Sequence, residues 1–263
     1  MVIWNMEPRR NFLDTTDAVA ELVSRVPPHR LSQPGLGEWD LRALIGHTSR
    51  AMSTVTMYLQ MPTTEVACPD AVAYYVYVAD TPGQDEAIAA RGVEAGGVLG
   101  DDVAAGFANL AREVRGVLTR RAARGDPVVP TLAGGMLLSQ YLPTRTFELV
   151  VHGYDIARAA EISFAPHPQV LADTAALAAR IGVALGHGPR LVSALTGRGW
   201  WRDTAVFDRT AGPLPSRRPH GPRETARGFT LRGAVLRSGM TRFAQRTSAL
   251  PAASAPRRSG TTV

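Results

Sequence analysis

Cysteine is almost absent: Cys68 is the only one in 263 residues. One thiol cannot close an internal disulfide or build a cysteine-based zinc site, and such usage fits a reducing cytoplasm. Long apolar runs are missing too. None approaches the roughly 18 residues that a membrane span needs. The opening stretch, Met1 to Arg10, has no charged segment leading into an apolar one, as a secretory signal would. We therefore expect a soluble cytoplasmic protein with no membrane partner. No internal repeat is visible, and Gly96 to Gly100 lacks the strand-turn-helix setting of a phosphate-binding loop.

Positive charge is missing from most of the chain. The formal net charge is +6, but Gly199 to Val263 holds 12 arginines against 3 acidic residues, a net +9. Residues 1–198 thus carry −3, which argues against nucleic-acid binding by the folded part. An Arg-, Pro- and Gly-rich tail of this kind is expected to be poorly ordered, with a hint of a short helix at Leu231, Val235 and Leu236. If nucleic acid is bound at all, this basic arm is the part to bind it.

What is there is helical patterning. Hydrophobic residues at 45% and charged residues at 20% give an ordinary globular balance, so the periodicity decides the fold class. Asp14 to Val26 reads as a first helix, capped by Asp14, Thr15 or Thr16, with Val19, Leu22, Val23 and Val26 as its stripe and Pro27-Pro28 as its stop. Leu31 to Glu38 reads as a turn. Asp40 is a good N-cap for a helix that runs to about Gln60. Ala71 to Val78 reads as an aromatic packing segment. Helices follow at Asp85–Arg91 and Asp101–Arg121, the latter with Val103, Phe107, Leu110, Val114 and Leu118 at period 3.6. Asp126 to Gly135 reads as a Pro/Gly loop. Pro166 to about Leu185 and Leu191 to Thr196 are the last expected helices.

Between them lies the stretch that organises the chain, from Thr144 to Arg158, in a helix that starts at Met136 or Leu137 and is kinked or begun by Pro143. It is apolar enough to be buried, yet at about 100° per residue Tyr141, Arg145, Glu148, His152 and Asp155 fall in one stripe. A buried carboxylate needs a partner. A bound cation is one solution, and an internal salt-bridge network is another. His47, on the earlier helix, reads by itself as a packed histidine.

Glu148-x-x-x-His152 taken together with His47 resembles the metal-binding domain of the mycothiol-dependent maleylpyruvate isomerase family, within the DinB-like four-helix bundles. Trp39-Asp-Leu-Arg-Ala-Leu-Ile-Gly-His47 is similar to the family's Trp-to-His segment on its second helix. Glu148-Leu-Val-Val-His-Gly-Tyr-Asp155 is similar to its Glu-Leu-Val-Val-His-Gly-x-Asp segment. The likeness spans about residues 11–198. It implies an all-α, up-and-down DinB-like bundle in which His47, Glu148 and His152 hold a divalent metal, zinc by default. It also implies a low-molecular-weight thiol such as mycothiol and a small electrophilic substrate, with isomerase or S-transferase chemistry. Cys68 carries no sign of activation and is a poor candidate for the thiol.

Two imidazoles and a carboxylate leave coordination positions open, the catalytic pattern for zinc, and the same set suits Fe(II) or Ni(II). Two further residues are catalytic candidates. Asp155 can accept the other imidazole N–H of His152 or touch a metal-bound ligand, or else pair with Arg158 or Arg145. Arg145 can bind a substrate carboxylate or neutralise Glu148. Past Leu195-Thr-Gly-Arg198 the tail matches neither the sterol-carrier-like second domain nor the early ending seen in the family. Two rivals stand beside the enzyme. One is a non-catalytic stress-response bundle stabilised by its metal. The other is a metal-free bundle with a buried Glu148–His152–Arg145 network and a nucleic-acid-binding arm.

Overall fold

Residues 8–61, 63–81, 85–121 and 125–198 are described by the structure, a computed structural model. In chain order their helices are α1 (Pro8–Ser24), α2 (Leu41–Tyr58), α3 (Ala71–Asp80), α4 (Asp85–Val98), α5 (Val103–Arg121), α6 (Leu138–Ala160), α7 (Pro168–Ala184) and α8 (Gly188–Leu195). Helices α1, α2, α5 and α6 pack on one another as an up-and-down four-helix bundle. The fold is thus all-α and DinB-like, as expected. The expected short helix at Leu231 to Leu236 lies outside the described residues.

The bundle core follows from the apolar stripes. Val19, Leu22 and Val23 of α1 meet Leu44, Met52 and Val55 of α2, Phe107, Val114 and Leu118 of α5, and Leu149 and Ile156 of α6 in one buried cluster. Each fully buried side chain of this size contributes about 1.5–3 kcal/mol over its exposed state. Asp40 caps α2 as expected, its Oδ1 accepting from the Ala43 N–H at 2.8 Å. Asp102 does the same for α5 through Ala105 at 2.9 Å.

Several expectations need correction. Helix α1 begins at Pro8, not Asp14. Thr15 and Thr16 are buried inside it and return their hydroxyls to the Asn11 and Phe12 carbonyls at 2.6 and 2.8 Å, so they cap nothing. Pro143 lies inside α6, as expected, but does not mark its start; the helix begins at Leu138, and the missing N–H falls opposite a first-turn carbonyl. The segment after Asp70 is a full helix, α3, whose N-cap Asp70 accepts from Ala73 at 2.9 Å.

Two small antiparallel ladders were not expected. Strands β1 (Pro34–Leu36) and β2 (Trp39–Asp40) pair across the turn before α2. Strands β3 (Val128–Thr131) and β4 (Gly134–Leu137) form a hairpin in register Val128↔Leu137 and Thr131↔Gly134. The β1–β2 ladder fixes Trp39 directly ahead of α2, and β4 leads straight into α6. Helix α4 lies along α2, and α7 lies along α6 and α3.

Candidate metal centre

Helices α2 and α6 run antiparallel at the site. His47 and His152 meet edge to face with ring centroids 4.9 Å apart, while further along Tyr141 Oη donates to Thr54 Oγ1 at 3.1 Å. Glu148 lies one turn before His152 on α6, so its carboxylate joins the two rings. Among the described residues, His47, Glu148 and His152 are the one group of His, Cys, Asp or Glu side chains offering three ligand atoms within 4.8 Å of one another. They are 2%, 3% and 0% exposed.

What brings His47 there is close helix packing. A Cβ on Gly46 would sit 2.1 Å from the Gly96 backbone nitrogen of α4. Glycine at position 46 lets α4 approach α2 this closely, and a Cβ on Gly96 would also press on the Arg42 carbonyl oxygen at 3.0 Å. Trp39 then closes over the site, its ring centroid 4.5 Å from that of His47. A Cβ on Gly92 of α4 would lie 2.7 Å from the same indole.

The surroundings orient the donors. Asp155 Oδ2 lies 3.2 Å from His152 Nδ1 and also pairs with Arg158. That fixes Nε2 as the atom turned inward, where it is buried without a hydrogen-bond partner and 3.4 Å from Glu148 Oε2. The Tyr75 hydroxyl is shared between Glu148 Oε1 at 2.9 Å and the Thr144 carbonyl at 3.0 Å. Burial, with the Glu148 charge behind it, raises Tyr75 well above the ordinary phenol range, so it stays protonated and donates. At His152 burial works to lower the imidazole, but Asp155 and Glu148 prevail and push it up to about 9. Burial works to raise Asp155, and His152 and Arg158 override it, holding the carboxyl below its usual range.

A divalent cation fits this arrangement. The donor set is two imidazoles and a carboxylate, and a buried nitrogen in it has no hydrogen-bond partner. Asp155, on the outer side of His152, adds the carboxylate of the pattern known to hold ligating histidines.

Arg145 sits one turn from Glu148, 2% exposed. Its guanidinium lies 5.0 Å from the Tyr141 ring centre and 5.6 Å from that of Tyr74, with hydrogen bonds to Thr144 Oγ1 at 3.0 Å and Tyr74 Oη at 3.3 Å. Among the described residues no ion pair joins it to Glu148, so a direct Glu148–His152–Arg145 network is not what the structure contains. Asp155 does two of the things its sequence position allowed, facing His152 and pairing with Arg158. Cys68 is buried, which raises its thiol, and its Sγ points to the Asp70 carbonyl at 3.6 Å.

Sequence reasoning missed Tyr75. Its partner Glu148 is 73 positions away, and no local pattern links them. The available signal was Asp70 as an N-cap, which would have made the tyrosine run a helix with one face inward.

One family model matches the chain, described as the mycothiol maleylpyruvate isomerase N-terminal domain, over residues 12–157. That span contains His47, Arg145, Glu148, His152 and Asp155, the five residues singled out in the sequence. No curated protein and no solved structure matches. Among the described residues no helix is long and apolar enough to cross a membrane.

Proposed function

Because this chain belongs to the family of the mycothiol maleylpyruvate isomerase N-terminal domain, we propose that it is a metal- and thiol-dependent enzyme of isomerase or S-transferase type acting on a small electrophile. The observation that carries the reading is the buried convergence of His47, Glu148 and His152 within 4.8 Å.

These three residues would hold the cation, and zinc is the metal we assign. A divalent cation so held lowers the pKa of a thiol or water that it coordinates, which supplies a nucleophile at neutral pH. The remaining work belongs to the chain. Asp155 keeps a proton on His152 Nδ1 and so presents Nε2 as the donor. Tyr75 holds one carboxylate oxygen of Glu148 and leaves the other toward His152. Trp39 excludes water from the His47 side. Arg145 keeps a permanent positive charge one turn from Glu148, where it favours negative charge arriving at the centre.

Isomerisation and conjugation share this centre and differ in whether the thiol departs from the product. The test is turnover by the zinc-loaded full chain on cis-unsaturated acids and on simple electrophiles, with and without mycothiol. We expect turnover that requires both metal and thiol and is lost in Glu148→Gln. A zinc-loaded protein without thiol-dependent turnover on any of them would instead be the metal-stabilised, non-catalytic bundle.

A further inference from the structure

His47, Glu148 and His152 are buried, so a thiol from solution reaches them only if something moves. The surrounding elements differ in how easily they can move. Glu148 and His152 lie within α6 and His47 lies within α2, and both helices are pinned by the bundle core. Trp39, which covers His47, belongs instead to the β1–β2 hairpin. That hairpin is a short ladder, pairing Pro34↔Asp40 and Leu36↔Trp39 with an irregularity between them.

The hairpin is tied at its base and exposed at its tip. At the base Arg30 holds Glu161, beside the end of α6, through hydrogen bonds of 3.0 and 2.7 Å. The Leu41 and Arg42 N–H groups donate to the Gln33 and Leu31 carbonyls at 2.9 Å. At the tip the chain turns through Gly37 with φ 60°. Among the described residues 32–40, Trp39 alone is buried, at 3% exposed. Its indole is therefore the hairpin's main hold on the body, and it fills a slot between α2 and α4. One side of the ring faces His47. Its edge lies so close to the Gly92 backbone that a Cβ there would come within 2.7 to 2.9 Å of three indole atoms. Exposed ladders with few buried contacts are the segments that open locally at low free-energy cost.

We propose that the β1–β2 hairpin gates the metal centre: Trp39 fills the slot between α2 and α4 through which a thiol enters, and the hairpin lifts the indole out to admit it. The inference rests on the metal- and thiol-dependent reading above. The base, held by Arg30 and by the Asp40 cap of α2, stays in place while the tip moves. A thiol that binds only the open state is slowed in proportion to that state's population. A minor state of about 0.1–10% slows it about 10- to 1,000-fold. With the gate closed, water is kept from the centre between encounters.

The test is stopped-flow mixing of the cobalt(II)-loaded full chain with 2-mercaptoethanol, read by the visible absorption that appears when a thiolate reaches the metal. We expect Trp39→Ala to bind cobalt and to take up the thiol at least about tenfold faster than wild type. Gly92→Ala keeps the indole but presses a methyl group into it from α4, and should speed uptake by about threefold or more. Gly97→Ala, on the same helix with open space around an added Cβ, should leave the rate unchanged. If Trp39→Ala fails to fold or to bind cobalt, the rate in Gly92→Ala decides in its place. Uptake no faster than wild type in the deciding variant overturns the gate alone. Cobalt bound with no thiolate absorption in wild type or either variant overturns the thiol-dependent reading, and the gate with it. Wild type that binds no cobalt overturns the whole proposed function.

Discussion

At His152 two effects oppose each other. Burial disfavours the imidazolium, while Asp155 on Nδ1 and Glu148 beside Nε2 favour it, and the carboxylates prevail, raising the pKa to about 9. The folded value lies above the unfolded one of about 6.5. In the metal-free protein this group therefore contributes stability that is complete below about pH 6.5 and is lost as pH rises through about 9. A cation must displace that proton, so metal affinity should climb over the same window. Competition with a chromophoric chelator between pH 6 and 9 checks this, and Asp155→Asn should flatten the climb. Affinity that does not change with pH would contradict the assignment of the proton to His152.

Tyr75 offers a second test at this scale. Tyr75→Phe keeps the ring packing but removes the donor to Glu148 Oε1. We expect metal affinity to fall about 10–100-fold, as for other losses of a group that orients a ligand. Stability should fall by about 1–2 kcal/mol from the unmade buried hydrogen bond. Chelator competition and urea unfolding read the two effects separately. If neither moves, Tyr75 is packing only.

At the scale of elements, the α2–α4 contact is the decisive one. Gly46 and Gly96 let the backbones touch, and Gly46 is the neighbour of His47. Gly46→Ala would place a Cβ 2.1 Å from a backbone nitrogen that no side-chain rotation can move. We expect a loss of about 1–3 kcal/mol from overpacking, together with weaker metal binding as His47 shifts. Gly97→Ala, where an added Cβ meets nothing within 4 Å, is the control and should bind metal normally. Equal behaviour of the two variants would show that α4 does not position His47.

The same scale shows what could be read from sequence. Helices α2, α5 and α6 were legible because each pairs an apolar stripe at period 3.6 with a capping aspartate or a buried polar stripe. Helix α3 was not, because Ala71 to Val78 is apolar and aromatic throughout and rich in strand-favouring Val and Tyr. The β3–β4 hairpin was hidden in a stretch of Pro and Gly, whose pairing depends on the partner strand. By spacing alone Glu148 and His152 were legible as members of one polar stripe, while His47 joined them only through the family resemblance. Tyr75 was not legible, and Arg145 was legible only as a member of that stripe, since the contacts of both with other helices leave no local pattern.

For the whole molecule, the family match ends at residue 157 and the five site residues lie between positions 47 and 155. The net +9 of residues 199–263 is separate from them in sequence. A chain truncated after Arg202 should keep its metal content and its melting temperature within about 2 °C, the shift expected for well under 1 kcal/mol. Loss of metal on truncation would make the tail part of the working fold.

All of this depends on whether His47, Glu148 and His152 hold a metal. The direct measurement is elemental analysis of the purified full chain after zinc reconstitution, beside His47→Ala and Glu148→Ala. We expect one tightly bound zinc per wild-type chain, lost from both variants while their helical circular dichroism persists. Wild type that retains no zinc would contradict it, and the buried triad would then be an ion-pair network around a protonated His152.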